Sequence, residues 1–361
     1  MNSDIHESFL QLIRLGIGTC KGAKISNDIN WAQLKALADA QGLSAIILDA
    51  LNMDNSILTD GMSLEMKFEW IGDVVQDYEG RYLLYKKAIG SLASFYNQHG
   101  IKMMVLKGYA CGLNWPKPEH RPYGDIDIWL FGQQEEADKI LREKGIEIDN
   151  SHHHHSVFEW QGFTVENHYD FINTHAHRSS RLFEKRLKEL ANRDCGEKDI
   201  CEATVYLPGV DFNFLFLLRH MANHFVGKEM TLRQLLDWAL FIEYNHEEID
   251  WKEGLAFFEA YGLLRYFNLM ALISVERLGF NRNIFHCELK EDELKERVFN
   301  DIIAPEYDTP LGNGALRIMA GKTHRWWSNK WKRRLCYPDS LLSSFIYGVW
   351  AKIQKPAHFL H

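Results

Sequence analysis

Two aspartates, Asp125 and Asp127, open an apolar run inside the stretch from Ile101 to Phe131, IKMMVLKGYACGLNWPKPEHRPYGDIDIWLF. On an extended strand, residues two apart project from the same face. Both carboxylates therefore point one way while Ile126 and Ile128 face the other, toward a core. Side-by-side carboxylates repel unless a cation sits between them, and hard oxygen donors suit Mg²⁺ or Mn²⁺. Ahead of them stand Lys107 and Gly108, at the end of a first apolar run, and Arg121 in a proline-rich loop. Lys107 and Arg121 have the charge to meet a polyphosphate, and Gly108 lets the backbone come close to one. Arg121 has a second use, holding Asp125 or Asp127 in place. Downstream, Phe163, Val165 and Asn167 alternate with Thr164, Glu166 and His168, so Glu166 stands on the face opposite Val165. Three carboxylates suit two divalent ions about 3.5–4 Å apart, with one acid taking the proton of an attacking hydroxyl. Glu166 is the favoured third acid, with Glu159 and Asp170 as alternatives.

The order of features is strand, Lys107-Gly108, a short helical segment from Tyr109 to Trp115, the loop with Arg121, Gly124, and then Asp125-Ile126-Asp127. This resembles the nucleotidyltransferase fold of the DNA polymerase β superfamily. More narrowly, Leu106-Lys107-Gly108 followed by Arg121-Pro122-Tyr123-Gly124-Asp125-Ile126-Asp127 is similar to an uncharacterised bacterial nucleotidyltransferase family with an LKG…R-x-x-GDID signature. Lys107-Gly108 stands where the broader superfamily carries Gly-Ser. The resemblance implies transfer of an NMP group from an NTP, such as ATP, to a hydroxyl acceptor: a sugar or small molecule ahead of RNA. It implies Asp125, Asp127 and Glu166 as catalytic residues and ligands of Mg²⁺ or Mn²⁺, with Lys107, Gly108 and Arg121 at the nucleotide. A histidine beside the third acid is also implied, and Val165-Glu166-Asn167-His168 supplies it, except that Asn167 takes a place usually apolar. A helix pair beside the site would bring His220, Arg233 and Asp237, with His168, around an acceptor or base pocket. A protein that keeps this fold and scaffolds or binds nucleotide without turnover is the alternative.

The elements that must position these residues read as α/β (α+β): a small mixed sheet between large N- and C-terminal helical regions. Residues 1–90 form an N-terminal helical region, 91–207 the nucleotidyltransferase core and 208–361 a C-terminal helical region. In the first, Phe9, Leu12 and Ile13 make one helical stripe. Trp31, Leu34 and Leu37 make a second, capped by Asn30 and stopped at Gly42, and Met62–Tyr96 reads as long helix. In the core, Lys102–Leu106 and Asp125–Phe131 read as strands and Gln133–Lys144 as a helix. Ser156–Trp160 and Phe163–Phe171 read as a hairpin turning at Gln161-Gly162. Beyond Pro208 come helices over Phe212–Phe225, Thr231–Tyr244, Trp251–Tyr261, Leu263–Leu278 and Glu291–Ile303. His220 and His224, and Arg233 and Asp237, lie four apart, so each pair shares a helix face.

The run His152–His155 offers zinc-type ligands, but neighbours on an extended chain point to opposite faces, so it supplies at most two together; a polar edge near the substrate is the preferred reading. Arg317, Lys322, Arg325, Lys330, Lys332, Arg333 and Arg334 surround Trp326, Trp327 and Trp331. That text fits an RNA, polyphosphate or membrane contact, or a solvated helix with its tryptophans in the core. The formal net charge of −8 and a pI near 6.1 give no overall attraction to nucleic acid. Six cysteines without a CxxC pair, and no apolar run long enough to span a bilayer, point to a cytoplasmic protein.

Overall fold

A computed structural model describes residues 3–305 and 321–343, leaving aside 27, 55, 56, 58, 60, 176, 228, 229, 322, 323, 325 and 341. Arg317, Lys322, Arg325 and most of the final apolar run from 341 to 353 lie outside the described residues.

Three helices open the chain: α1 (Ser3–Gly16), α2 (Trp31–Gln41) and α3 (Ser44–Met53). Asn30 accepts a bond from the Gln33 amide at the start of α2, and Gly42 ends the helix in the left-handed region at φ 69°. Next, α4 (Leu64–Asp73) runs through a π-helical turn, Val74–Gly80, into α5 (Arg81–Gln98). Trp70 and Val74 pack with the N-terminal helices, whereas Tyr85, Ala88, Ile89 and Leu92 pack under the sheet. The wider π turn re-phases the buried stripe between these two cores.

The sheet has six strands in the order β3-β4-β2-β1-β6-β5. They are β1 (Met104–Val105), β2 (Ile126–Trp129), β3 (His155–Trp160), β4 (Phe163–His168), β5 (Cys195–Ile200) and β6 (Ala203–Pro208). β2 pairs parallel with β4 and β1 parallel with β6, while the remaining neighbours are antiparallel. The architecture is α+β with a mixed sheet, as the sequence indicates. One face, carrying Val105, Ile126, Ile128 and Val165, is covered by α5 and by α7 (Gln134–Glu143). The other, carrying Met104, Leu106 and Trp129, shares a core with α8 (Arg178–Arg193) and α9 (Val210–Gly227). The helix after β1, α6, spans Lys107–Gly112, starting earlier and ending sooner than the Tyr109–Trp115 expectation. The hairpin β5–β6 and helix α8 are not marked in the sequence reading.

The remaining helices are α10 (Leu232–Asn245), α11 (Trp251–Ala260), α12 (Leu264–Leu278), α13 (Lys295–Ile303) and α14 (Lys330–Cys336). They share one apolar core with the N-terminal helices. Arg14 Nε donates to the Arg277 carbonyl at 2.9 Å and Thr19 Oγ1 to that of Leu278 at 2.6 Å. Gln41 bonds the Ile302 carbonyl and accepts from the Leu232 amide at 2.7 Å. In the basic segment, Lys332 is buried against Asp301, Arg333 lies over Trp326, and Arg297 lies over Trp331. These cations are used within the C-terminal core.

Glu184 of α8 accepts bonds from the Phe171 and Ile172 amides at 3.0 and 3.1 Å, tying the segment after β4 to the helix. Burial, and then the charge of Asp170, push its carboxyl up to about 7. A folded-state value above the unfolded one means the native chain holds this proton while the unfolded chain has lost it, so stability falls as pH rises from the unfolded value to about 7. Comparing urea unfolding of wild type and Glu184→Gln, the wild type should lose up to about 3 kcal/mol relative to the variant across that window. Parallel pH profiles would contradict this.

Candidate active site

Parallel pairing of β2 with β4 sets Asp127 directly opposite Glu166, and Trp129 opposite His168. Adjacent strands lie about 4.8 Å apart, so two carboxylates in register on one face would repel. Two nitrogen groups answer them. Lys107 Nζ lies 2.6 Å from Asp127 Oδ1, and His168 Nε2 donates to the same oxygen at 2.9 Å and lies 3.5 Å from Glu166 Oε2. Burial alone would raise the Asp127 carboxyl, but the Lys107 charge and the His168 hydrogen bond hold it well below the usual range. Burial likewise works against the charged forms of Lys107 and His168, and the facing carboxylates outweigh it and raise both. Glu166 is kept ionised in the same way by His168, with a quarter of its side chain open to solvent. Lys107 adopts φ 35°, so the turn from β1 into α6 carries backbone strain at the residue whose ammonium reaches the acids.

Asp125 sits at the exposed rim just ahead of β2. Loss of solvation to the groups packed around it, and then the charge of Asp127, raise its carboxyl. α5 fixes its backbone: Tyr85 Oη donates to the Asp125 carbonyl at 2.9 Å, and Arg81 donates to the carbonyls of Tyr123 and Gly124. Tyr85 also explains Gly108. A Cβ there would meet Tyr85 Oη at 2.6 Å, so the glycine makes room for the hydroxyl that holds Asp125. Gly108→Ala should lower stability by about 1–3 kcal/mol in urea unfolding. Because the ring carbon behind the hydroxyl is 3.5 Å from that Cβ, the same change should cost less in a Tyr85→Phe background. Equal losses in both backgrounds would exclude the clash.

Arg121 is placed differently from the phosphate-facing expectation. Buried to 5 % exposure, it donates from Nε and Nη2 to the two oxygens of Asp237 at 2.8 and 2.9 Å. Trp115 Nε1 donates to Asp237 Oδ1 at 2.8 Å. Both donor edges facing Asp237 are occupied, so Arg121 joins the loop before β2 to α10, not to Asp125 or Asp127. Arg233, four residues before Asp237, donates to the Pro122 carbonyl at 3.4 Å; Asp237 takes Arg121 as its partner. The N-terminal helices hold the same loop, with Asp49 of α3 accepting from Lys117 at 2.6 Å and meeting His120 Nδ1 at 2.6 Å.

On the open side of Glu166 lies His155 Nε2, 3.8 Å from Oε1, with its imidazole lowered to about 4 by burial against the opposing pull of Glu166. His220 of α9 stands within the field of Lys107, Asp127 and His168, and burial, then the Lys107 charge, lower it well below its ordinary value. Its ring meets His224 edge-on at 4.5 Å. Asn167, the departure from an apolar position, is fully buried and donates to Asp138 of α7 at 2.9 Å, as Ser156 does at 3.0 Å. Gln134 of the same helix bonds the His168 carbonyl at 2.9 Å. The rival acids point elsewhere: Glu159 accepts from Thr164, and Asp170 pairs with Lys188.

A family profile described as an uncharacterised nucleotidyltransferase matches residues 27–279. The chain belongs to this family. Neither a curated protein nor a solved structure shows a significant match to it. The span matched by the uncharacterised nucleotidyltransferase family contains the whole sheet, the acidic residues and the helices α9 and α10 beside them. Arg81 and Tyr85 carry no signal in the sequence; His154 and His155 belong to the histidine run read above as a polar edge near the substrate.

The donor set fits a divalent cation. Asp127, Glu166 and His168 offer ligand atoms within 4.8 Å of one another, and Asp125 lies within their field at the rim.

Proposed function

We propose that this nucleotidyltransferase-family protein moves an NMP group from an NTP to an acceptor hydroxyl, with Asp125, Asp127 and Glu166 holding Mg²⁺ or Mn²⁺. The observation that carries the reading is the register of β2 with β4. It sets Asp127 opposite Glu166, with Lys107 against the first and His168 touching both. Cations bound there would neutralise charge on the transferring phosphoryl group and orient the attacking and leaving oxygens. Lys107 is the ammonium closest to the acids and turns from Asp127 toward the phosphates when a nucleotide enters. Glu166, ionised and partly open, accepts the proton of the acceptor hydroxyl, and His168 fixes its orientation and that of Asp127. Arg121 and Asp237 act as a strut that sets the loop before β2. His220 and Arg233 face the acceptor or base side.

A sugar or small-molecule hydroxyl is the proposed acceptor, ahead of RNA. The packing of Lys332 and Arg333 into the C-terminal core supports that order. A cytoplasmic location belongs to the same reading and accords with six free cysteines; among the described residues no helix is long and apolar enough to cross a membrane. The test is pyrophosphate release from each of the four NTPs with Mg²⁺ or Mn²⁺ and mixed hydroxyl metabolites, beside calorimetric NTP binding. Turnover identifies the nucleotide. Absence of both metal-dependent NTP binding and turnover would overturn the reading.

A further inference from the structure

We infer that His154, His155 and His168 form a nitrogen-donor site for a first-row transition-metal ion of the Zn²⁺ class, adjoining the carboxylates and sharing His168 with them. Adjacent histidines on a regular strand diverge. Here the strand begins only at His155, and His154 lies in the bend before it. The His154 carbonyl accepts from the Tyr169 and Asp170 amides at 2.8 and 3.1 Å, which fixes the backbone there. Antiparallel pairing then sets His155 opposite His168. The three rings converge, with centroids 4.4 Å apart for His154 and His155, 5.3 Å for His155 and His168, and 5.8 Å for His154 and His168. Each has a ring nitrogen within 4.8 Å of the other two; His168, whose Nδ1 meets the Asp170 carbonyl at 3.2 Å and whose Nε2 meets Asp127 at 2.9 Å, would exchange one of these partners for the ion.

The second observation is that Nδ1 of His154 and Nδ1 of His155 are both buried without a hydrogen-bond partner among the described residues. Buried polar atoms are ordinarily satisfied, and two orphaned imidazole nitrogens side by side call for a shared partner. Among the described residues no carboxylate is directed at either orphaned atom: Asp127 is taken by Lys107 and His168, and Glu166 meets His155 through Nε2. Imidazole nitrogens favour zinc and its neighbours, whereas Mg²⁺ demands oxygen. This site stands on its own geometry and does not require that the protein transfer nucleotides.

The test is a titration of EDTA-stripped full-length protein with Co²⁺, read by ligand-field absorption, followed by displacement with Zn²⁺. It is run in a His246→Ala background, because the half-buried His246 and the exposed His286, whose ring nitrogens lie 2.9 Å apart, are a competing pair. Co²⁺ should bind with nitrogen-donor bands, resist millimolar Mg²⁺, and weaken by about tenfold or more in His154→Ala and in His155→Ala. Glu159→Gln, at a carboxylate that bonds Thr164 away from the site, should leave it unchanged. Where alanine prevents folding, His154→Gln and His155→Gln keep the ring's bulk and serve the same test. Affinity unaltered by loss of either histidine, or no Co²⁺ or Zn²⁺ binding at all, would overturn the site; failure of NTP turnover alone would not touch it.

Discussion

Asp125→Asn should lower NTP-dependent pyrophosphate release by about 10³-fold or more without lowering the urea midpoint. The carboxylate lies at the exposed rim, and its carboxyl is raised by its surroundings and by Asp127. Removing its charge therefore relieves repulsion in the resting chain and takes away a ligand only when a cation and nucleotide are bound. Asp127→Asn should abolish turnover equally but also shift the midpoint down. Lys107 and His168 are both buried against that carboxylate, and an amide leaves their charge poorly compensated. The contrast between the two variants separates catalysis from folding at positions two residues apart. Wild-type turnover in Asp125→Asn would sink the assignment of this aspartate.

The largest stability effect is expected at Arg121. Arg121→Ala leaves Asp237 buried with Trp115 Nε1 as its remaining side-chain donor, and breaking a buried pair in this way costs about 3–5 kcal/mol. Against a typical domain stability of about 5–15 kcal/mol that is a large fraction, visible as a lower urea midpoint. Arg121→Lys should recover only part of it, since an ammonium cannot bridge both oxygens in plane. Replacing both partners with apolar residues of similar volume should recover more than either single change. If Arg121 bound phosphate instead, Arg121→Ala would leave the midpoint in place and raise KM for the NTP, which urea unfolding and steady-state kinetics together decide.

The acidic site is legible in the sequence because its geometry is local. Alternation along β2 turns Asp127 away from Ile126 and Ile128, and alternation along β4 turns Glu166 away from Val165, while Asp125 stands just ahead of the strand. Gln161-Gly162 marks the hairpin, with positive φ at both residues. The β5–β6 turn uses the same left-handed geometry at Cys201 and Glu202, at φ 50° and 67°, but with residue types that give no turn cue. Arg121 and Asp237 lie 116 residues apart, and no spacing rule connects them; the only spacing rule that applies to Asp237 points to Arg233, four residues earlier on the same helix. The convergence of His154 and His155 is equally hidden, since it depends on where β3 begins and on register with a strand across the turn.

The contact between α1 and the end of α12 sets a timetable for synthesis. Arg14 and its carbonyl partner at Arg277 are 263 residues apart. At ribosomal speeds of about 5–20 residues per second, roughly 13–50 s pass after Arg14 is made before its partner exists. Over that interval the apolar stripe of Phe9, Leu12 and Ile13, fully buried in the finished chain, has no C-terminal surface to cover it. Until α12 emerges, the nascent α1 therefore carries an apolar stripe without its C-terminal cover, and chaperones that hold apolar helices are its expected partners over that interval.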